Sequence, residues 1–123
     1  FESTQAPLAK EHELGVVSYF SLASGFLTGK YRQLSDLEGK SRGDFVKGYF
    51  NERGLRVLDA LMSVAEELSA KPAQVALAWL LHQPQLTAPI VSATSLAQLD
   101  EILGSVELTL PQELLTKLDT ASR

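Results

Sequence analysis

The sequence predicts an α/β fold in which helices connect parallel strands. Two short apolar runs with β-forming residues, Val16–Tyr19 and Ala88–Ala93, are separated by two segments with helical periodicity. Strands that are joined through helical crossovers have to pair in parallel. Because two parallel strands cover neither their own faces nor their own edges, we expect further strands from outside this sequence to complete the sheet.

The first elements are a helix and a strand. A short helix is predicted from Ser3 or Thr4 to Glu13, because a hydroxyl residue can cap its start and Gly15 can close its end. Val16–Tyr19 then favours a pleated conformation and is predicted to be a buried strand.

A long connection follows this strand. The segment Phe20–Phe50 is rich in Gly, Ser, Lys and Arg and is predicted to be mostly irregular, with a helical turn at Phe26–Tyr31 as its one regular candidate. An irregular connection of about thirty residues is uncommon in a compact domain and is usually functional.

Two helices come next, and their apolar residues predict how each one packs. Asn51 is the predicted cap of the first helix, which has one apolar face. Pro72 opens the second helix, which runs to His82. Because this helix is apolar on nearly every face, we expect it to be buried on more than one side, with Trp79 as a large core residue. The apolar face of the first helix consists of Leu58, Leu61, Met62, Ala65 and Leu68.

The second strand leads into two further helices. Ser95 and Gln98 have the spacing of a capping box at the start of the first of them. Pro111 stands at the start of the last helix. Apolar stripes are formed by Leu96, Leu99, Leu103 and Val106 in the first of these helices and by the inward-facing Leu114, Leu115 and Leu118 in the last one.

Composition narrows the class of protein. The length of 123 residues predicts one domain over residues 1–123, and 45% apolar and 21% charged residues are ordinary for a soluble globular protein. Because its two strands cannot form a stable sheet alone, we expect this domain to be partial. The sequence has no apolar run of membrane-spanning length and no leader, so we expect no membrane association and a cytoplasmic location. A formal charge of -4 argues against nucleic-acid binding. With no cysteine, and with two histidines in unrelated contexts, no metal site is predicted. Since the sequence begins at Phe1, we expect a piece of a longer polypeptide.

Two loops are candidate binding sites, because each follows a predicted strand. In the first, small residues allow close approach of a ligand to the backbone, and Lys30 and Arg42 supply positive charge. In the second, Ser92–Ser95 meets a helix N-terminus, where free N–H groups favour an anion such as phosphate. The alternative interpretations are solvated surface charges in the first loop and an ordinary helix cap in the second.

No motif for bond chemistry is present. The serines after the first strand lack a nucleophile elbow, and neither a Walker motif nor a Gly-x-Gly-x-x-Gly fingerprint occurs. The sequence therefore predicts binding residues without a catalytic group.

Three blocks of sequence, Tyr19–Tyr31, Pro72–Leu81 and Pro89–Glu101, together resemble the C-terminal part of an aldo-keto reductase. The resemblance extends over essentially the whole sequence. It implies the last two parallel strands, with their helices, of a (β/α)8 TIM barrel. It also implies NADP(H) as cofactor, bound in an extended pose, and hydride transfer to the carbonyl group of a small-molecule aldehyde or ketone.

The resemblance assigns roles to individual residues. Tyr19 would pack against the nicotinamide ring, and Arg42 would hold the 2′-phosphate. The pyrophosphate would be lined by Phe20, Ser21, Leu22, Ala23 and Ser24. The adenosine side would be bound by Lys30, Tyr31 and Arg42 and, from the second loop, by Ser92, Thr94, Gln98 and Glu101.

The sequence also departs from the family pattern. Phe20-Ser21 stands where the family often has Ser-Pro, Ser92 where it often has Gly, and Ile102 where it often has Asn. The family's catalytic Asp, Tyr, Lys and His lie on earlier strands, so no catalytic residue is assigned here. Two alternatives remain open at this point: a non-catalytic, nucleotide-binding regulatory subunit of the same fold, and a half-barrel that self-associates through exposed apolar strand faces.

Overall fold

The computed structural model describes all residues, 1–123, and is mostly helical with two short strands. Three of the helices are 3₁₀ helices, which cover Ala23–Thr28, Leu34–Leu37 and Gly104–Val106. In chain order the other elements are α1 (Gln5–Glu11), β1 (Val17–Ser18), α2 (Gly43–Lys47), α3 (Glu52–Glu67), α4 (Pro72–Leu81), β2 (Ala88–Pro89), α5 (Leu96–Leu103) and α6 (Gln112–Ser122).

The two strands pair in parallel, as predicted. Val17 lies opposite Ala88, and Ser18 lies opposite Pro89. The Ile90 N–H group donates to the Ser18 carbonyl oxygen at 2.9 Å, which extends the ladder beyond the second strand. Both strands are shorter than predicted, because this chain supplies no further strand to pair with either of them.

The prediction that the first strand is buried is wrong, since none of the four residues Val16–Tyr19 is buried. Val17 is 56% exposed and Tyr19 is 75% exposed. The apolar run is present, but burial on both faces of a parallel sheet needs helices and strands that this pair does not have around it.

The main hydrophobic core lies between α3, α4 and α6. Leu61 and Val64 of α3, Val75 of α4, and Leu114 and Leu118 of α6 are all buried in it. The prediction for α4 is confirmed, since Ala73 and every residue from Val75 to Ala78 are buried. Three helices that close on one another in this way account for most of the stable packing of the chain.

Trp79 supports this core, as predicted. Its ring is partly buried against the main cluster, and its Nε1–H group donates a hydrogen bond of 2.8 Å to Oδ1 of Asp119 on α6. The indole therefore joins α4 to α6 through both its apolar body and its polar edge.

A second core organises the long connection. It consists of Phe26, Tyr31, Leu37, Val46 and Leu58, which are all buried. The segment is consequently more regular than predicted, with two 3₁₀ helices and α2 between the first strand and α3. The residues that form this core are spaced without a helical or strand period, so the sequence pattern did not reveal it.

The predicted cap of α3 by Asn51 is confirmed, and the predicted capping box of α5 is confirmed in part. Asn51 Oδ1 accepts a hydrogen bond of 2.9 Å from the Gly54 N–H group at the start of α3. Ser95 Oγ accepts one of 3.3 Å from the Gln98 N–H group at the start of α5. The capping box is incomplete, because Gln98 Oε1 accepts hydrogen bonds from Thr94 instead of from the Ser95 N–H group.

Two further predictions need correction. Helix α1 ends at Glu11, and Glu13 (φ 53°), rather than Gly15, takes the left-handed conformation that reverses the chain. The apolar stripe of α5 is exposed within this chain, where Leu96 is 80% and Leu103 is 57% exposed. The sequence predicts which residues share a face of a helix, but burial of that face requires a partner element.

No helix of the structure has the length and the apolar character that crossing a membrane requires.

Asp36 gives the long connection a pH-dependent contribution to stability. Hydrogen bonds from the backbone N–H groups of Arg32 (2.7 Å) and Gln33 (3.1 Å) to Asp36 Oδ2 lower the pKa of this carboxyl group below its ordinary value. A lowered folded-state pKa stabilises the fold above the unfolded-state pKa of about 4, and this contribution is lost as the pH falls through the folded-state value.

Substitution Asp36→Asn is therefore expected to destabilise the protein at pH 6 more than at pH 3. Urea midpoints of the wild type and the variant at the two pH values measure the difference. Asp44→Asn, which replaces another carboxylate of the same segment, is the control. An equal effect of Asp36→Asn at both pH values would contradict the assignment.

Candidate functional site

The two predicted binding loops leave the same end of the strand pair. Because β1 and β2 are parallel and in register, their carboxyl ends lie side by side. Tyr19 follows β1 directly, and the residues from Ile90 to Ser95 connect β2 to α5. Ligands of α/β folds bind at this end of the strands.

The first loop begins with two exposed aromatic rings. Tyr19 is 75% exposed, and its ring lies 4.5 Å from that of Phe20 in an edge-on arrangement. Phe20 has a φ of 58°, which is uncommon for a bulky residue. The strand thus ends in an aromatic surface that is open to a flat ligand.

The predicted pyrophosphate residues form a tight turn after these rings. The Ala23 N–H group donates to the Phe20 carbonyl oxygen at 2.7 Å, and Ser24 and Gly25 both have positive φ. Ser21 is buried, with its hydroxyl group hydrogen-bonded to Ser18. Leu22 is partly buried against the main core. The turn offers a ligand mainly backbone groups.

The predicted adenosine residues of the long connection have different surroundings. Lys30 is exposed, and its Nζ atom lies 4.8 Å from the centre of the Tyr31 ring. Tyr31 is only 7% exposed and belongs to the second core, so little of its ring is free for a ligand in this structure. Arg42 is exposed immediately before α2. Of the predicted residues, Lys30 and Arg42 therefore provide accessible positive charge, whereas Tyr31 packs into the second core next to Lys30.

The second loop brings two of its four predicted residues, Thr94 and Gln98, into contact. The Thr94 N–H and hydroxyl groups donate to Gln98 Oε1 at 2.8 and 2.9 Å. Ser92 is exposed before them, and Glu101 is partly buried one helical turn further along α5. In the first turn of α5, the Gln98 N–H group donates to the side chain of Ser95. The other N–H groups of this turn have no acceptor within the helix. Such a helix start can hold an anionic or polar group.

Ser18 is a residue of this site that sequence reasoning missed. Its hydroxyl oxygen lies 2.9 Å from that of Ser21. Two serines three residues apart at the end of a strand are the signal that could have indicated this contact.

An apolar cavity borders the site. It has a volume of about 290 Å³ and lies between β1 and α4, with Val17, Tyr19, Trp79 and Leu80 among its lining residues. Only Tyr19 belongs both to this cavity and to the predicted cofactor residues. The cavity thus lies beside the strand, below the two loops.

The arrangement provides binding groups: two aromatic rings, two accessible cations and a helix N-terminus, on loops from one end of a parallel strand pair. It contains no arrangement of nucleophile and base that could break a bond.

Comparison with known proteins identifies the family of the chain. The sequence model of the aldo/keto reductase family matches residues 2–123. The uncharacterized oxidoreductase YrpG of Bacillus subtilis is 35% identical over 114 residues, which cover 92% of this chain and 33% of YrpG. A protein of Arabidopsis thaliana named "Probable voltage-gated potassium channel subunit beta" is 32% identical, over 87% of this chain and 34% of its own length.

A soybean (Glycine max) protein named "Probable aldo-keto reductase 1" is 29% identical, over 91% of this chain and 33% of its own length. The chain thus spans about a third of the length of the curated relatives it matches. The match to the family model extends over nearly every residue. The chain belongs to the aldo/keto reductase family.

Proposed function

We propose that the protein is an NADPH-dependent oxidoreductase that reduces the carbonyl groups of small aldehydes or ketones in the cytoplasm. This chain supplies the cofactor-binding loops, as the C-terminal part of a (β/α)8 barrel whose other strands complete the sheet. The observation that carries the proposal is the exit of both loops from the carboxyl end of one parallel strand pair.

The chemistry of the residues at these loops fits an extended dinucleotide. Tyr19 offers an exposed ring for a flat heterocycle, and Lys30 and Arg42 offer positive charge for phosphate groups. Thr94 and Gln98 hold each other in place, which leaves the amide nitrogen of Gln98 as a donor for a base. NADPH, when bound, supplies the hydride that a carbonyl carbon accepts.

In this proposal, the residues of this chain bind and orient the nucleotide. The ring of Tyr19 fixes one face of the nicotinamide, and the turn after Phe20 presents backbone groups to the pyrophosphate. The acid that donates a proton to the carbonyl oxygen, and the pocket that selects the substrate, belong to the rest of the polypeptide.

A second function has specific support. Relatives from Arabidopsis thaliana and Schizosaccharomyces pombe carry names that include "voltage-gated potassium channel subunit beta". A nucleotide-binding regulatory subunit would use the same two loops without needing turnover. The third alternative, self-association through exposed apolar strand faces, is supported by Val17 and Ile90, which are 56% and 49% exposed.

Titration of the intact polypeptide that carries this sequence with NADPH tests the proposal. We expect saturable quenching of Trp79 fluorescence and oxidation of NADPH when an aldehyde is added. Binding of NADPH that is not followed by its oxidation when any carbonyl substrate is added would favour the regulatory subunit. No binding at millimolar NADPH would contradict both nucleotide-binding functions.

Arg42→Ala tests the assignment of the 2′-phosphate. We expect the affinity for NADPH to fall about tenfold and that for NADH to change less than about twofold, because only NADPH carries a group for a charge-assisted hydrogen bond with the guanidinium. Arg32→Ala, which removes another exposed arginine of the same segment, is the control. Equal losses for both nucleotides would exclude Arg42 from this role.

A further inference from the structure

Two serine hydroxyl groups close the turn after β1. The Ser21 hydroxyl group donates to the Ser18 carbonyl oxygen at 3.1 Å, and the two Oγ atoms lie 2.9 Å apart. Because the proton of Ser21 is used in the first bond, Ser18 donates in the second. Ser21 is only 8% exposed, so both of its hydrogen bonds are made inside the protein. We call this pair the serine clasp.

The serine clasp also connects the two loops. The carbonyl oxygen of Ser18 accepts a second hydrogen bond, of 2.9 Å, from the N–H group of Ile90 at the start of the second loop. A carbonyl oxygen has two lone pairs, and both are engaged here. The first loop is thereby fixed relative to the point where the second one leaves β2.

Phe20 lies inside the serine clasp in an unfavourable backbone conformation. Its φ of 58° is one that a bulky side chain rarely adopts, and such a conformation persists only where the surroundings impose it. The serine clasp and the 2.7 Å bond from the Ala23 N–H group to the Phe20 carbonyl oxygen are the contacts that impose it.

The identity of residue 21 decides whether this conformation is accessible. A residue that precedes proline is driven towards an extended conformation, because the proline ring clashes with the residue before it. With serine at position 21, Phe20 is free to take positive φ, and the hydroxyl group supplies the bond that holds it there. Phe20 and Ser21 thus act as a coupled pair.

We propose that Ser21 is a positioning residue, which through the serine clasp sets the loop conformation that presents Tyr19 and the turn backbone to the nicotinamide and pyrophosphate of the nucleotide. The inference rests on the proposed function. It differs from a direct contact between Ser21 and the nucleotide, because the hydroxyl group is buried and already paired.

Calorimetric titration of the intact polypeptide with two probes tests this role. NADP⁺ is expected to engage Tyr19 and the turn after Phe20 as well as the adenosine side. 2′,5′-ADP lacks the nicotinamide half and is expected to engage only the adenosine side. We expect Ser21→Ala to weaken NADP⁺ binding about three- to tenfold, as the loss of a hydrogen bond would, and 2′,5′-ADP binding less than about twofold. Ser18→Ala is expected to act in the same way, and Ser18→Thr, which keeps the hydroxyl group, to restore binding. Ser35→Ala is the control at an exposed serine of the same connection.

The backbone conformation of Phe20 gives a readout that needs no nucleotide. A residue with positive φ shows a strong NOE between its own Hα and amide protons, and we expect this signal to weaken in Ser21→Ala and to be lost in Ser21→Pro. Retention of the signal in both variants would overturn the proposal, as would equal losses for NADP⁺ and 2′,5′-ADP. Failure of the wild type to bind either probe would contradict the proposed function and, with it, this role of Ser21.

Discussion

Gly54→Ala is expected to destabilise the protein by more than about 2 kcal/mol, because the new methyl group has no room. A Cβ atom at this position would lie 1.8 Å from the carbonyl oxygen of Tyr49. The obstacle is backbone and cannot rotate away as a flexible side chain could. The shift that relieves the clash would also disturb the bond from the Gly54 N–H group to Asn51 Oδ1, and with it the cap of α3.

Urea unfolding of the two proteins measures this effect as a lower midpoint. Gly48→Ala is a matched control: Gly48 has helical dihedral angles (φ -64°, ψ -19°), and no atom lies within 4 Å of its Cβ position. The control is expected to be neutral or to stabilise the fold by up to about 1 kcal/mol, through the unfolded state. A Gly54→Ala midpoint equal to that of the wild type would show that the start of α3 can move freely.

Features that depend on one helix, or on the order of the elements, could be predicted from the sequence, whereas the clash at Gly54 could not. The Asn51 cap, the apolar faces of α3 and α6 and the enclosed α4 followed from residue types at helical spacing, because these effects act within one helix. Parallel pairing of the strands followed from the helices between them. The clash at Gly54 involves the backbone of the preceding turn, and composition or periodicity does not indicate it.

The predictions that failed depend on partners distant in sequence or absent from the chain. The stripe that includes Leu96 was identified, but its exposure depends on which element covers it. The long connection was predicted to be irregular, since its buried residues have no period and meet only in three dimensions. Tyr31 was predicted at a binding surface from its aromatic ring and from the family resemblance, and the structure places this ring in the second core. Its contact with the nucleotide stays a prediction.

Some features of the candidate site could be predicted from the sequence, and others could not. The positions of the two loops followed from the rule that ligands bind at the carboxyl ends of parallel strands. The exposed ring of Tyr19 and the contact between Thr94 and Gln98 are compatible with the residues selected from the sequence. The serine clasp was not predicted, because hydroxyl groups three residues apart meet only when the turn between them is tight.

The second core joins the two ends of the long connection that contains the first loop. Phe26 lies in this core and is only 1% exposed. Its ring stacks on that of Tyr49, with 5.6 Å between the ring centroids, and meets the ring of Phe50 edge-on at 5.2 Å. These contacts join the 3₁₀ helix after β1 to the residues just before α3. The connection that carries Lys30 and Arg42 is therefore closed at both ends by one aromatic cluster.

Phe26→Ala is expected to cost about 3–5 kcal/mol of stability, through the lost apolar surface and the cavity that remains. Aromatic pairs add about 0.5–1.5 kcal/mol to this loss, beyond the area buried. Chemical denaturation measures the total. Phe45→Ala removes the same side chain from a position that is 67% exposed, and it should change stability by less than about 0.5 kcal/mol.

Amide hydrogen exchange distinguishes a local effect from a global one. Since Phe26 belongs to the second core and α4 to the main core, we expect Phe26→Ala to lower protection more in the long connection than in α4. The affected elements should be α2 and the two 3₁₀ helices Ala23–Thr28 and Leu34–Leu37. Phe26→Leu, which retains much of the apolar volume, should fall between the wild type and the alanine variant. Uniform loss of protection, including α4, would mean that the two cores unfold as one cooperative unit. The long connection would then not be a separately stabilised support for the proposed nucleotide-binding loop.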